Sequence, residues 1–179
     1  MALLEIIEYP DKRLRLASKP VETIDARIRR LAADMAETMY AAPGIGLAAI
    51  QVGEPLRLIV CDVHAEGEDA KLLTVINPEI VATEGEVAME EGCLSLPGIF
   101  EEVRRFAKVG VDYLDLDGER RHIDAEGLLA VCLQHEIDHL DGKVIFDRLS
   151  SLKRKLAVRR LERFKAEREA KEASAQKNA

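Results

Sequence analysis

The segment Gln134-His135-Glu136-Ile137-Asp138-His139 holds side chains whose types and spacing suit metal-assisted hydrolysis. It lies in an apolar run over residues 128–140 that has helical length. On a helix, residues four apart share a face, so His135 and His139 can direct ring nitrogens at one ion. Glu136, one position on and about 100° around, stands beside the ion's open coordination position. A carboxylate there can take a proton from water at the metal, the logic of hydrolytic H-E-x-x-H zinc sites. The plain alternative is a solvated helix face.

Two histidines leave a catalytic metal one protein ligand short, because open sites usually hold three protein ligands and a water. Acids are plentiful, so a carboxylate could serve. The better candidate is Cys93 in Glu90-Glu91-Gly92-Cys93-Leu94-Ser95, with a structural cysteine as the alternative. Gly92 permits close backbone approach, and the cysteine ends an apparent strand. A thiolate favours soft or borderline ions, leaving Fe2+ and Zn2+ open and excluding Mg2+ and Ca2+. Cys61 sits in a β-rich run and reads as a buried structural thiol. Cys132, three residues before His135, is expected to line the site rather than ligate. Three cysteines suit a reducing compartment better than a disulfide framework.

The elements that must position these groups follow from the pattern. Residues 25–42 predict an amphipathic helix, with Asp25 as N-cap and Ile28, Leu31, Ala32, Met35 and Met39 on one stripe. Pro43 and Gly44 stop it. Gly44-Ile45-Gly46-Leu47-Ala48-Ala49-Ile50-Gln51 is a small-residue loop or extended segment without the lysine and spacing of a phosphate loop. Strands are expected at about 56–63, 72–81, 86–90 and 103–116. Asp117-Gly118 reads as a hairpin turn into a strand near 119–124. The metal helix, roughly 126–140, is closed by Asp141-Gly142, and a last helix over about 150–170 precedes a polar tail. A strand-rich middle packed around the metal-binding helix, with a helix at each end, predicts an α+β fold.

The 179 residues, 47% of them hydrophobic, suit one structural unit. Within it, residues 1–148 are expected to form the catalytic domain and 149–179 a basic helical extension with a polar tail. No apolar stretch approaches membrane-spanning length, and the start lacks the features of a signal peptide, so no membrane association is expected. The net charge of −7 divides unevenly. Residues 148–179 carry 11 Lys or Arg against 4 Glu, whereas the first 147 residues carry 15 bases and 29 acids. A basic extension on an acidic body suggests an anionic partner.

Taken in order, Gly44–Gln51, Glu91-Gly92-Cys93-Leu94-Ser95 and Gln134-His135-Glu136-Ile137-Asp138-His139-Leu140 resemble the three signature motifs of the peptide deformylases. The resemblance runs from about residue 3 to residue 165 and includes Pro10-Asp11-Lys12-Arg13-Leu14-Arg15. It implies removal of the formyl group from N-formylmethionine at the start of newly made bacterial polypeptides, in the cytoplasm. It also implies one metal held by Cys93, His135 and His139, usually Fe2+, with Zn2+ or Ni2+ able to replace it. Glu136 would be the acid/base, with Gln51 and the Leu94 N–H stabilising the oxyanion. The methionine pocket would include Ile45, Met89, Leu128, Val131 and Cys132 above the His135 ring. The backbone of Ile45, Gly46 and the loop from Gly98 to Phe100 would pair with the extended peptide. Phe100 stands where some deformylases carry a peptide-contacting arginine, so that ionic contact is lost here. Glu91 and Arg105 match positions expected to pair and brace the site.

In relatives a C-terminal helix docks on the ribosome near the exit tunnel, which implies the same partner for the basic extension, with nascent chains as substrates and no DNA partner. On this reading, deleting residues 152–179 is expected to abolish ribosome binding and spare hydrolysis of a short formyl peptide. The alternatives are a small H-E-x-x-H metallopeptidase and a ribosome-associated module with a structural metal, which would need a fourth ligand.

Overall fold

The computed structural model describes residues 3–64 and 69–177. Residues 1–2 and 178–179, the outermost ends of the two expected regions, lie outside the described residues. A helix α1 (Ala26–Ala41) comes first, and Asp25 caps it by accepting from the Ile28 N–H at 2.9 Å. Its stripe of Ile28, Ala32, Met35 and Met39 is buried as the periodicity requires.

Among the described residues seven strands follow: β1 (Gly46–Ala48), β2 (Leu58–Cys61), β3 (Leu73–Glu84), β4 (Val87–Gly92), β5 (Phe100–Arg105), β6 (Lys108–Leu114) and β7 (Arg120–Glu126). They form an antiparallel sheet in the order β1-β2-β3-β6-β7 and a separate β4–β5 hairpin. A helix α2 (Gly127–Leu140) and a long helix α3 (Ser151–Lys177) complete the chain. The fold is therefore α+β, as expected.

The larger sheet is covered on both faces, which explains the uninterrupted apolar run of β2. Leu58 and Val60 pack with α1, while Ile59 and Cys61 pack with α2. Cys61 is fully buried there, a structural thiol. Every residue of α2 from Ala130 to Leu140 is buried, including two histidines, two acids and a glutamine. Such a helix tolerates its ionisable groups only if each finds a partner. A third apolar cluster joins Leu96, Ile99 and Val103 to Ala157 and Leu161 of α3.

Two expectations need correction. The run expected as one strand over 103–116 is two strands in different sheets, divided at Phe106 and Ala107. The division has a cause: the Gln134 amide accepts from the Phe106 N–H at 3.0 Å and donates to its carbonyl at 2.9 Å. Backbone groups that a continuing strand would have paired are satisfied by α2 instead. The last helix also continues to Lys177, because the segment expected as a polar tail has neither Gly nor Pro and supplies the helix formers Lys171, Glu172, Ala173, Ala175 and Gln176.

Candidate active site

α2 and the end of β4 build the site together. His135 and His139 project from one face of α2, their Nε2 atoms 3.2 Å apart. Cys93, the residue after β4, brings its Sγ to 3.2 Å from His139 Nε2. Among the described residues these three form a donor group whose ligating atoms all lie within 4.8 Å of one another. One thiolate and two imidazoles suit Fe2+, Zn2+ or Ni2+ and no hard cation. Cys132, the obvious extra thiol for a closed site, instead directs its sulfur at the Ile45 carbonyl, 3.6 Å away.

Hydrogen bonds fix how the rings are presented. Glu91 Oε2 lies 2.8 Å from His135 Nδ1, so that nitrogen donates and Nε2 is the one left to face a metal. Without a metal, burial opposes the ring's charge, but Cys93 and Glu91 hold its pKa well above the ordinary histidine range. Arg105 in turn grips Glu91 through Nε at 2.7 Å and Nη2 at 2.9 Å, with both side chains almost wholly buried. Burial opposes the Glu91 charge, yet Arg105 and His135 hold its carboxyl below the usual range. Arg105 Nη1 also reaches Asp138 at 2.5 Å, and Arg148 pairs with the same carboxylate at 2.6 and 2.9 Å. The expected pair of Glu91 and Arg105 is thus part of a buried chain of charges rather than a surface contact. His139 is pushed well below the ordinary histidine range by burial and then by His135, so its ring is neutral at pH 7.

Glu136 is buried beside the cluster, and burial pushes its carboxyl up to about 7. β1 passes directly over it. A methyl group on Gly46 would lie 2.5 Å from Glu136 Oε1 and 2.8 Å from the Cys132 sulfur, so any larger residue there must push one of them aside. Gln51 follows in a 3-10 turn (Ala49–Val52). Its Oε1 accepts from the Ala48 N–H at 2.9 Å, which turns the amide nitrogen toward Ser95 Oγ at 3.1 Å and Cys93 Sγ at 3.7 Å.

These groups border a cavity of about 480 Å³ whose surface is mainly apolar. Its lining includes Ile45, Gly46, Gln51, Cys93, Leu94, Gly98, Phe100, Leu128, Val131, Cys132, His135 and Glu136. Ile45, Leu128 and Phe100 stand partly exposed at its edge.

The family described as polypeptide deformylase matches residues 3–155 of this chain. A peptide deformylase of Rhizobium meliloti (strain 1021) is 54% identical over 172 residues, covering 96% of this chain and 99% of that protein. The crystal structure of a peptide deformylase from Legionella pneumophila superposes with a TM-score of 0.88 at 49% identity, covering 93% of this chain and 97% of that one. That from Ehrlichia chaffeensis in complex with actinonin gives 0.86 at 45% identity, covering 91% and 98%.

This chain belongs to the polypeptide deformylase family. It is accordingly a metal-dependent hydrolase, and the family's activity is removal of N-formyl groups from nascent peptides. The peptidase and structural-metal alternatives have no support in these matches.

For a deformylase, one residue expected in the pocket stands apart from the cavity lining. Met89 is half-buried on β4 and does not line the cavity, whereas its neighbours Glu90 and Glu91 do. Three residues escaped sequence reasoning: Ser95, Asp138 and Arg148. Asp138 left a signal, since an acid inside an apolar helix must be paired. No helix among the described residues is long and apolar enough to cross a membrane.

Proposed function

We propose that this chain hydrolyses the formyl group from N-formylmethionine at the start of newly made polypeptides, with the roles that follow. The observation that supports them best is the meeting of Cys93, His135 and His139 beside buried Glu136 in one apolar cavity. Those three residues would hold the ion, Fe2+ in this reading, with Zn2+ or Ni2+ able to replace it. When bound, such an ion supplies Lewis acidity that makes water nucleophilic near neutral pH.

Glu136 accepts a proton from the attacking water on a carboxylate oxygen and returns it to the leaving amine. A carboxyl near 7 suits that two-way task. The Gln51 Nε2 and the Leu94 N–H donate to the carbonyl oxygen as it becomes negative. The methionine side chain enters among Ile45, Leu128, Val131 and Cys132. The backbone of Ile45, Gly46 and residues 98–100 pairs with the extended peptide, a mode that ignores side-chain identity. Formate release from formyl-Met-Ala-Ser, compared with cleavage of the unformylated peptide before and after chelation, tests this. Hydrolysis of the unformylated peptide, or formate release that survives chelation, would refute it.

The reading extends to the bacterial cytoplasm and to the ribosome. Lys153, Arg159, Arg160 and Arg163 border a shallow groove with Leu156, along the side of α3 that meets Glu101 of β5, and their excess of positive charge suits nucleic-acid phosphates. The inner side of the same helix buries Ala157 and Leu161, so deletion of residues 152–179 would cut into the core. The triple charge reversal Lys153→Glu, Arg159→Glu and Arg163→Glu is the cleaner test. It should remove salt-sensitive co-sedimentation with ribosomes and leave formyl-peptide hydrolysis in place. Unchanged co-sedimentation would sink the docking role.

A further inference from the structure

α3 backs the wall of the catalytic cavity, although none of its described residues lines the cavity itself. Three residues beyond buried Leu161, Phe164 lies against Gly98, where an added methyl group would sit 2.6 Å from the ring. Gly98 has a φ of 72° and lines the cavity. Contacts on either side tie the same stretch of chain to α3. Arg160 pairs with Glu101. Lys165 donates to the Tyr9 carbonyl at 3.0 Å, and the Tyr9 N–H donates to the Ser95 carbonyl at 2.9 Å. Residues 95–101 are thus gripped at both ends, with an aromatic ring pressed on the glycine between them.

We propose that Phe164 is a positioning residue for substrate: acting through Gly98, it fixes the wall that receives the peptide beyond the formylated methionine. This rests on the reading of residues 98–100 as a peptide-binding segment. A glycine with positive φ has wide backbone freedom, and the ring removes that freedom before substrate arrives. Without it, the substrate must order the segment on binding. The proposed metal donors and Glu136 lie on α2 and at the end of β4, so the cost falls on KM for a substrate long enough to reach the wall.

The experiment compares kcat and KM for formyl-Met-Ala-Ser and for formyl-Met, which ends before the wall, in wild type, Phe164→Ala, Phe164→Leu and Phe164→Tyr. Phe164→Ala should raise KM for formyl-Met-Ala-Ser by about five- to tenfold with kcat within roughly twofold. Its kcat/KM for formyl-Met should stay within roughly twofold of wild type, a split that general destabilisation would not produce. Phe164→Tyr, which keeps the ring, should match wild type. Phe164→Leu keeps enough bulk to fold if the alanine variant does not, and should shift KM in the same direction by less. Equal losses on both substrates, or none on either, overturn the role of Phe164. A wild-type enzyme that handles formyl-Met as well as formyl-Met-Ala-Ser overturns the peptide-binding segment itself, and the inference with it.

Discussion

Arg105 is the side chain whose loss should be felt furthest. Its guanidinium is 2% exposed and lies between Glu91, 5% exposed, and Asp138, 7% exposed. In Arg105→Met, Asp138 keeps Arg148, but Glu91 keeps only the His135 ring. Removing one partner of a buried pair and leaving the other charge uncompensated costs about 3 to 5 kcal/mol. For a chain of this size that lowers Tm by about 6 to 20 °C, measurable by calorimetry. Because Glu91 also orients His135, metal affinity should fall by about 10- to 100-fold in a competition titration. The pH dependence has a definite sign. Glu91 and Asp138 both titrate below their unfolded values of 4.5 and 3.8, so the stability they contribute is present above those values and is lost as pH falls through the folded ones. The gap between wild type and Arg105→Met should therefore be full at neutral pH and shrink in acid. Adding Glu91→Gln should recover part of the loss at neutral pH by removing the orphaned charge. A Tm within about 2 °C of wild type with unchanged metal affinity would refute the reasoning.

Further outcomes follow from the same geometry. Glu136→Gln should lose at least about 10²-fold in kcat while binding metal normally, and near-normal turnover of the loaded variant would exclude the acid/base role. In chelated protein the same substitution should raise stability relative to wild type by about 2 to 3 kcal/mol between pH 5 and pH 8, read by denaturant melts at each pH. The folded carboxyl titrates near 7 against 4.5 unfolded, so its neutral form favours the fold in acid and that benefit disappears as pH rises through 7. A pH-independent difference would contradict it. Gly46→Ala should fold poorly or lose activity, since its methyl must displace Glu136 or Cys132; a variant with wild-type kcat and Tm would disprove the close approach. Activity lost on chelation should return with Fe2+ under anaerobic conditions and decay in air, because a thiolate beside a redox ion is open to oxidation. An air-stable Fe2+ form would count against Cys93 as a ligand.

How much of this was legible in the sequence depended on how far apart the cooperating residues lie. Asp25 and the apolar stripe behind it defined α1, and Asp117-Gly118 defined the last hairpin, because those signals are local. The pairing of His135 with His139 on one face of α2 was legible from helical spacing, whereas the glycine and strand end before Cys93 left a structural cysteine open until the three motifs were taken together. The break at Phe106 was not, since it is imposed by Gln134 from a helix much later in the chain. Arg148 was hidden for the same reason: nothing near it indicates that its partner is Asp138, inside α2.

The sulfur and the two imidazoles belong to different parts of the architecture, one at the end of a two-stranded hairpin and the others on a helix enclosed by the larger sheet. An isolated hairpin is marginal in water, so the three donors meet only after the hairpin has been seated on that helix. During synthesis, such a meeting can occur only after the chain through Leu140 has emerged. Ion capture is then among the last events in maturation, and each molecule acquires its chemistry only once its architecture is closed.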